Sequence, residues 1–133
     1  MNANNADKVI LMVDDEENFF HIYAWRLERF HHFRYLYAKS GEEAYKVLKK
    51  QKVDFVISDV NMPDGDGLWL LDKLALEYPA IPVIMASGEV GITEKELIAR
   101  GASAFVPKMD LSLLSFKFSK LVKKPAQTID SFS

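Results

Sequence analysis

Apolar residues fall into two alternating kinds of run. Short runs rich in β-branched and aromatic residues occur at 9–13, 34–38, 55–58, 83–86 and 104–106. Between them apolar positions recur at helical spacing. Residues 17–30 set Phe20, Tyr23, Ala24 and Leu27 on one face, 42–50 set Ala44, Val47 and Leu48, and 68–77 set Leu70, Leu71 and Leu74. Residues 93–100 contribute Leu97 and Ile98, and 111–123 contribute Leu111, Leu114, Phe118 and Leu121. Strands alternating with helices in this way predict an α/β domain, a parallel sheet covered on both faces. The first and third strands are almost wholly apolar, as strands buried on both faces are.

Punctuation supports these boundaries. Ser40-Gly41 closes the second strand, and Ser40 with Glu43 three residues on forms a capping-box pattern for the second helix. Asp66-Gly67 opens the third helix, Gly101 stops the fourth, and Asp110 is placed to cap the fifth. Periodicity fades after Lys124. The expected organisation is a disordered segment at 1–7, one domain over 8–124 and a flexible tail at 125–133.

Composition narrows the function classes. A chain of 133 residues, 49% apolar, suits one domain with a real core. Its formal charge of −2, without a basic face, argues against a nucleic-acid partner. The absence of cysteine excludes disulfides and thiolate metal sites and fits a cytoplasmic protein. No apolar run approaches the ~20 residues that span a bilayer, so no membrane partner is expected.

Chemistry concentrates at the carboxyl ends of the expected strands, where open parallel sheets bind ligands. The first strand ends in Asp14-Asp15 followed by Glu16, the third at Asp59, the fourth at Ser87 and the fifth at Lys108. Two carboxylates ~4 Å apart repel by roughly 1 kcal/mol in water and by more in a shielded cleft. A bound Mg²⁺ relieves that repulsion, because hard cations prefer oxygen ligands, and it commonly completes its shell with a phosphate oxygen. Lys108 supplies positive charge and Ser87 a donor, both suited to the oxygens of a transferring phosphoryl group, with Asp59 as nucleophile. Singly, an Asp pair is ordinarily a solvated turn, a lone Asp a helix cap and a lone Lys a surface residue. Their joint placement at four strand ends is what points to a site.

On these residues the sequence resembles the receiver domain of two-component response regulators over nearly its whole length. The resemblance is carried by Val13-Asp14-Asp15-Glu16, by Ser58-Asp59-Val60-Asn61-Met62-Pro63-Asp64-Gly65-Asp66-Gly67, by Met85-Ala86-Ser87-Gly88, and by Gly101 through Pro107-Lys108. It implies a doubly wound, flavodoxin-like sheet of five strands in the order 2-1-3-4-5 with five helices. It also implies that Asp59 accepts a phosphoryl group from a sensor histidine kinase or a histidine phosphotransfer protein. Asp15, Asp59 and the backbone carbonyl of Asn61 would hold Mg²⁺, with Asp14 acting mainly through water. Ser87 and Lys108 would hold the phosphoryl oxygens, and Phe105 would turn inward with Ser87. The surface of the fourth helix, fifth strand and fifth helix would then change for a downstream protein target. Asn61 and Glu89 stand where the family tunes the lifetime of the phosphoaspartate, in a pairing like that of single-domain chemotaxis regulators, which implies a short-lived state. The resemblance is to a signalling domain rather than an enzyme with an external substrate, and a monomer or weak homodimer is expected.

The sequence departs from the family at two places. Proline in a cis peptide usually follows the fifth-strand lysine, whereas here Met109 follows Lys108 and Pro107 precedes it. A cis bond to a non-proline residue costs ~2.5–4 kcal/mol, so the bond is either trans in an adjusted loop or cis at that cost. The stretch from Ser87 to Gly101 is also about a residue short by the family's pattern and carries Gly88 and Gly91, which predicts a poorly formed start to the fourth helix.

Other features have plainer readings. His21, His31 and His32 show no acidic partner at ligand spacing and read as solvated. Phe19, Ile22, Trp25 and Phe30 lie off the core stripe of the first helix, either as a broad buried face or as a protein contact. Leu113 and Phe116 lie off the stripe of the fifth helix, with an interface role as the alternative. Three functions compete. They are a phosphoacceptor, a phosphorylation-independent interaction module built on a degenerate receiver, and a metal-dependent phosphatase. The complete acidic set argues against the second, and the lack of a DxD nucleophile motif and of a substrate lid against the third.

Overall fold

Five strands and five helices alternate along the chain. They are β1 (Lys8–Val13), α1 (Glu17–Leu27), β2 (Phe33–Ala38), α2 (Gly41–Lys50), β3 (Phe55–Asp59), α3 (Gly67–Glu77), β4 (Val83–Ser87), α4 (Glu94–Ala99), β5 (Ala104–Pro107) and α5 (Leu111–Asp130). The computed structural model describes residues 8–29, 33–62, 67–88 and 91–130, with side chains as far as 122. All four strand pairings are parallel, in the order β2-β1-β3-β4-β5. This is the flavodoxin-like arrangement expected, and each strand lies within one residue of its apolar run at either end.

Side chains alternate across the sheet with the period of two that strands impose. Val9, Leu11 and Val13 of β1, Val56 of β3 and Met85 of β4 meet Leu70, Leu71 and Leu74 of α3, Ala44 and Leu48 of α2 and Leu97 of α4. Ile10, Met12, Phe55, Ile57 and Ile84 point the other way, against Tyr23 and Leu27 of α1 and Leu114 and Phe118 of α5. Each fully buried aliphatic or aromatic side chain stabilises the fold by roughly 1.5–3 kcal/mol relative to exposure.

Helix ends follow local chemistry, with some departures from the sequence pattern. The Ser40 hydroxyl accepts from the Glu43 N–H at 3.1 Å, as expected. The return arm differs, because the Glu43 carboxylate accepts from the Lys39 N–H (2.9 Å) rather than from that of Ser40. Asp110 caps α5 by accepting from the Leu113 N–H at 3.1 Å. The first helix ends at Leu27, short of the expected 30, because the chain must turn before Phe33 pairs with Lys8. Helix α4 begins only at Glu94, behind a full capping box between Thr93 and Glu96. Glu89 and the start of this connection lie outside the described residues. Gly101 ends the helix at φ 117, and a Cβ there would come 2.8 Å from that of Ala75. The end of α5 differs most. The helix does not stop at 123 but continues past Pro125 to Asp130. Pro125 lacks the N–H that would bond four residues back, so the helix continues there with one backbone bond fewer. Residues 1–7 and 131–133 lie outside the described residues.

Candidate functional site

Because β1 pairs with β2 on one side and β3 on the other, the chain reverses direction across the sheet at β1. The crevice of such a sheet opens beyond the carboxyl ends of these two strands. Asp14 extends β1 by one residue, its N–H donating to the Ala38 carbonyl at 3.1 Å. Its Oδ1 accepts from the Glu16 N–H at 2.8 Å, and the Tyr37 hydroxyl donates to its carbonyl at 2.7 Å. Asp59 closes β3, and the Asn61 N–H donates to its Oδ1 over a long 3.4 Å. Asp14 and Asp59 are buried, whereas Asp15 is exposed.

Carboxylate oxygens of Asp14, Asp15 and Asp59 all lie within 4.8 Å of one another. Lys108 reaches into this group from the end of β5. Its Nζ stands 3.1 Å from Asp14 Oδ2 and 3.1 Å from Asp59 Oδ2. The face of the Phe19 ring lies 4.0 Å from the same ammonium, measured to the ring centroid.

Burial dominates the titration of both carboxyl groups. It pushes Asp59 above its ordinary value, only partly offset by the Lys108 charge and hydrogen bond. It also raises Asp14, against the Glu16 N–H and the Lys108 hydrogen bond. For Lys108 burial opposes the charged form, but the Asp14 hydrogen bond and the charge of Asp59 prevail and raise its pKa. Two partly desolvated carboxylates beside an exposed third, all oxygen donors, fit a hard divalent cation such as Mg²⁺.

The pair's titration has a definite sign. Asp14 and Asp59 are held above the unfolded value of 3.8, so the folded state binds more protons than the unfolded chain between that value and the raised ones. Their contribution to stability is therefore greatest in acid and is lost as pH rises through the raised values. Asp14→Asn is expected to raise the melting temperature of the metal-free protein at neutral pH and to have a much smaller effect in mild acid. Lys108 contributes with the same direction in a more alkaline window, present below 10.5 and lost as pH rises through its raised value. Mg²⁺ at a hundred times its Kd should add about 2.7 kcal/mol at neutral pH. Thermal melts across pH with Mg²⁺ or EDTA check both statements. A wild type that gains as much from Asp14→Asn in acid as at neutral pH would contradict the first.

Ser87 is buried at the end of β4, and its carbonyl accepts from the Lys108 N–H at 3.0 Å. The Lys108–Met109 peptide is trans, since no cis bond occurs among the described residues. Met109 takes φ 70, the left-handed region that most side chains avoid, and the Asp110 N–H closes the turn on the Pro107 carbonyl at 3.1 Å. Phe105 is half-buried and packs against the core on the face of the sheet that α2, α3 and α4 cover. Asn61 is exposed beside Asp59. Asp14, Asp15, Asp59 and Lys108 are thus brought together, with Ser87 tied to Lys108 through the backbone, while Phe105 lies on the core side of β5.

Several contributors were not singled out for the site by sequence pattern. Gly67 brings the start of α3 against β3, its N–H donating to the Val60 carbonyl at 2.8 Å. Lys117 of α5 donates to the Phe105 carbonyl at 2.7 Å and pairs with Glu94 of α4 at 3.1 Å, linking α4, β5 and α5. Phe19 and Ile22 are half-buried, whereas Trp25 is 66% exposed, so the broad buried face of α1 stops short of it. Leu113 is likewise half-buried and Phe116 exposed. His21 is exposed and, contrary to expectation, has an acidic neighbour, with Glu17 at 3.5 Å one turn earlier. His31, His32 and Phe30 lie outside the described residues.

The family model for the response regulator receiver domain matches residues 10–117. The chain is 35% identical over 102 residues to response regulator GtcR of Aneurinibacillus migulanus, covering 76% of this chain and 41% of that protein. It is 32% identical over 116 residues to heme response regulator HssR of Staphylococcus aureus (strain bovine RF122 / ET3-1), covering 86% of this chain and 51% of that one. The chain therefore spans about half the length of these curated relatives. A solved receiver domain protein (CheY-like) from Methanospirillum hungatei JF-1 superposes with a TM-score of 0.81 at 22% identity, over 92% of this chain and 99% of that one, a likeness of fold.

Proposed function

Because the chain belongs to the response regulator receiver domain family of two-component signalling, we propose that Asp59 is its phosphoacceptor, taking a phosphoryl group from a phosphohistidine donor. The observation that carries this reading is the convergence of Asp14, Asp15 and Asp59 within 4.8 Å, with the Lys108 ammonium on two of them.

In the proposed reaction an Asp59 carboxylate oxygen attacks phosphorus in line with the donor nitrogen. The P–O bond forms as the P–N bond breaks, and the departing imidazole takes up the proton needed to restore its neutral ring. Lys108 and the Ser87 hydroxyl hold the equatorial oxygens, where charge neutralisation does most of the work. Asp15, Asp59 and the Asn61 carbonyl would hold Mg²⁺ directly, with Asp14 acting mainly through water. When bound, the ion offsets carboxylate repulsion and neutralises the incoming phosphoryl charge.

The output follows from what Lys117 links. Movement of Ser87 toward the phosphoryl group, with Phe105 turning inward, would disturb the Phe105 backbone that Lys117 holds to α5 and, through Glu94, to α4. A downstream protein docking on α4, β5 and α5 would read that change. The proposed donors are a sensor histidine kinase or a histidine phosphotransfer protein, in the cytoplasm, with residues 8–124 as the receiver unit. Among the described residues no helix is long and apolar enough to cross a membrane.

Incubation with Mg²⁺ and acetyl phosphate or a phosphoramidate tests the reading. One phosphoryl group per chain, dependent on Mg²⁺ and abolished by EDTA, is the expected result. No adduct would favour a phosphorylation-independent interaction module, and turnover of unrelated phosphoesters would favour a phosphatase. With Asn61 and Glu89 at the lifetime-tuning positions, the phosphorylated form should decay quickly by attack of water. A phosphoaspartate stable for hours in Mg²⁺ would contradict that.

A further inference from the structure

We propose that Phe19 and Tyr23, one turn apart on α1, are positioning residues that hold Lys108 at the phosphoryl site. The consequence for reaction rate rests on the phosphoacceptor reading above, but the geometry does not.

Lysine carries its charge on a flexible four-carbon stem, so a useful ammonium must be fixed by something other than its own backbone. The backbone here is itself in need of support. Lys108 is followed by Met109 at φ 70, in a turn closed by one hydrogen bond between Asp110 and Pro107. Tyr23 lies beneath this turn, buried, with its hydroxyl 3.4 Å from the Met109 N–H and placed to accept from it. Phe19 lies under the other end of the side chain. An ammonium has three N–H donors, and Asp14 and Asp59 each face Nζ at 3.1 Å. The electron-rich face of the Phe19 ring, 4.0 Å away, takes a further side, where a desolvated cation is attracted. The two rings also touch each other, with centroids 6.1 Å apart. One face of α1 thus grips both the backbone after Lys108 and its charged head.

This support matters most when the carboxylates are otherwise engaged. Once Asp59 oxygens are shared with a cation or a phosphoryl group, the ammonium loses part of its anionic anchorage. The ring keeps its attraction unchanged and leaves the ammonium facing the crevice. A packing role for Phe19 would be met by any apolar side chain of similar size, whereas a hold on the ammonium requires an aromatic face.

The test measures phosphoramidate labelling at saturating Mg²⁺ in the 133-residue wild-type chain, Phe19→Leu, Phe19→Trp, Tyr23→Phe and Asp59→Asn, with thermal melts to establish folding. In parallel, NMR follows the side-chain methylene protons of Lys108, which a ring 4.0 Å from Nζ shifts upfield. Phe19→Leu should slow labelling roughly tenfold and abolish the upfield shift, while Phe19→Trp restores the shift and brings the rate within about threefold of wild type. Tyr23→Phe should have a smaller effect, roughly threefold, without loss of the shift. A Phe19→Leu protein that labels at the wild-type rate, or a Phe19→Trp protein no better than Phe19→Leu, would overturn the proposal. Failure of wild type to label at all would remove the phosphoacceptor reading, and the Lys108 shift would then still decide whether Phe19 holds it.

Discussion

Asp59→Asn is expected to take up no phosphoryl group from a small-molecule donor or from a phosphohistidine protein. The amide keeps the size of the carboxylate and can still accept from Asn61, so the crevice should retain its shape. What it lacks is an anionic oxygen to attack phosphorus, and neither Asp14 nor Asp15 replaces it. Asp14 is turned into its own loop by the Glu16 N–H and held by Lys108, and Asp15 is exposed beyond the end of β1. The same change removes one of two buried carboxyl groups that burial holds above their ordinary pKa. The metal-free variant should therefore melt higher than wild type at neutral pH, by an amount on the order of 1 kcal/mol, the scale of carboxylate repulsion at close range. Its Mg²⁺-dependent rise in melting temperature should shrink. Radiolabel uptake and thermal melts check both outcomes, and a variant that labels like wild type would place the acceptor elsewhere.

Gly67→Ala carries the second large expectation, on the fold beneath the site. A Cβ at Gly67 would overlap the Asp59 carbonyl oxygen and stand 2.7 Å from the Val60 carbonyl and 2.8 Å from Val60 Cα. These are backbone atoms, so no rotamer change relieves the clash. Either the start of α3 or the end of β3 must move, breaking the Gly67 N–H bond to Val60. The expected cost is about 3 kcal/mol or more, at the upper end of overpacking effects. Because Asp59 ends β3, labelling should also fall, by roughly a hundredfold for a displacement near 1 Å. Gly88→Ala is the matched control, since its Cβ would meet only the Lys108 Cβ at 4.0 Å. Chemical denaturation and labelling of both variants check this pair. Near-wild-type behaviour of Gly67→Ala would contradict the packing described here.

Much of this architecture was legible in the sequence, for identifiable reasons. Strand boundaries were clear because the central strands are buried on both faces, so their apolar runs stop where burial stops. The acidic set was legible because a parallel sheet delivers every strand's carboxyl end to one edge, and the chain order of Asp14, Asp59, Ser87 and Lys108 translates directly into neighbours. Pairings that depend on where a helix turns its side chains were not legible. Phe19 lies off the core stripe of α1 in the sequence pattern, and that offset is what carries its ring to Lys108. Lys117 resembles any surface lysine until the spacing of α5 and β5 is known. The capping box between Thr93 and Glu96 is a feature of the structure that the sequence reading, resting on Gly88 and Gly91, does not include. The extent of α5 was hidden because backbone helix can continue where the apolar stripe does not. Sequence alone leaves the bond after Lys108 open between trans and cis; it is trans, with Met109 in the left-handed region.

The most direct test of the central claim is to locate the phosphoryl group itself. Protein labelled with phosphoramidate and Mg²⁺ is reduced with borohydride, which converts an acyl phosphate to an alcohol, then digested and sequenced by mass spectrometry. The account predicts homoserine at position 59 and unmodified Asp14, Asp15 and His21. Reduction at Asp14 or Asp15, or a phosphoryl group on a histidine with Asp59 untouched, would contradict it.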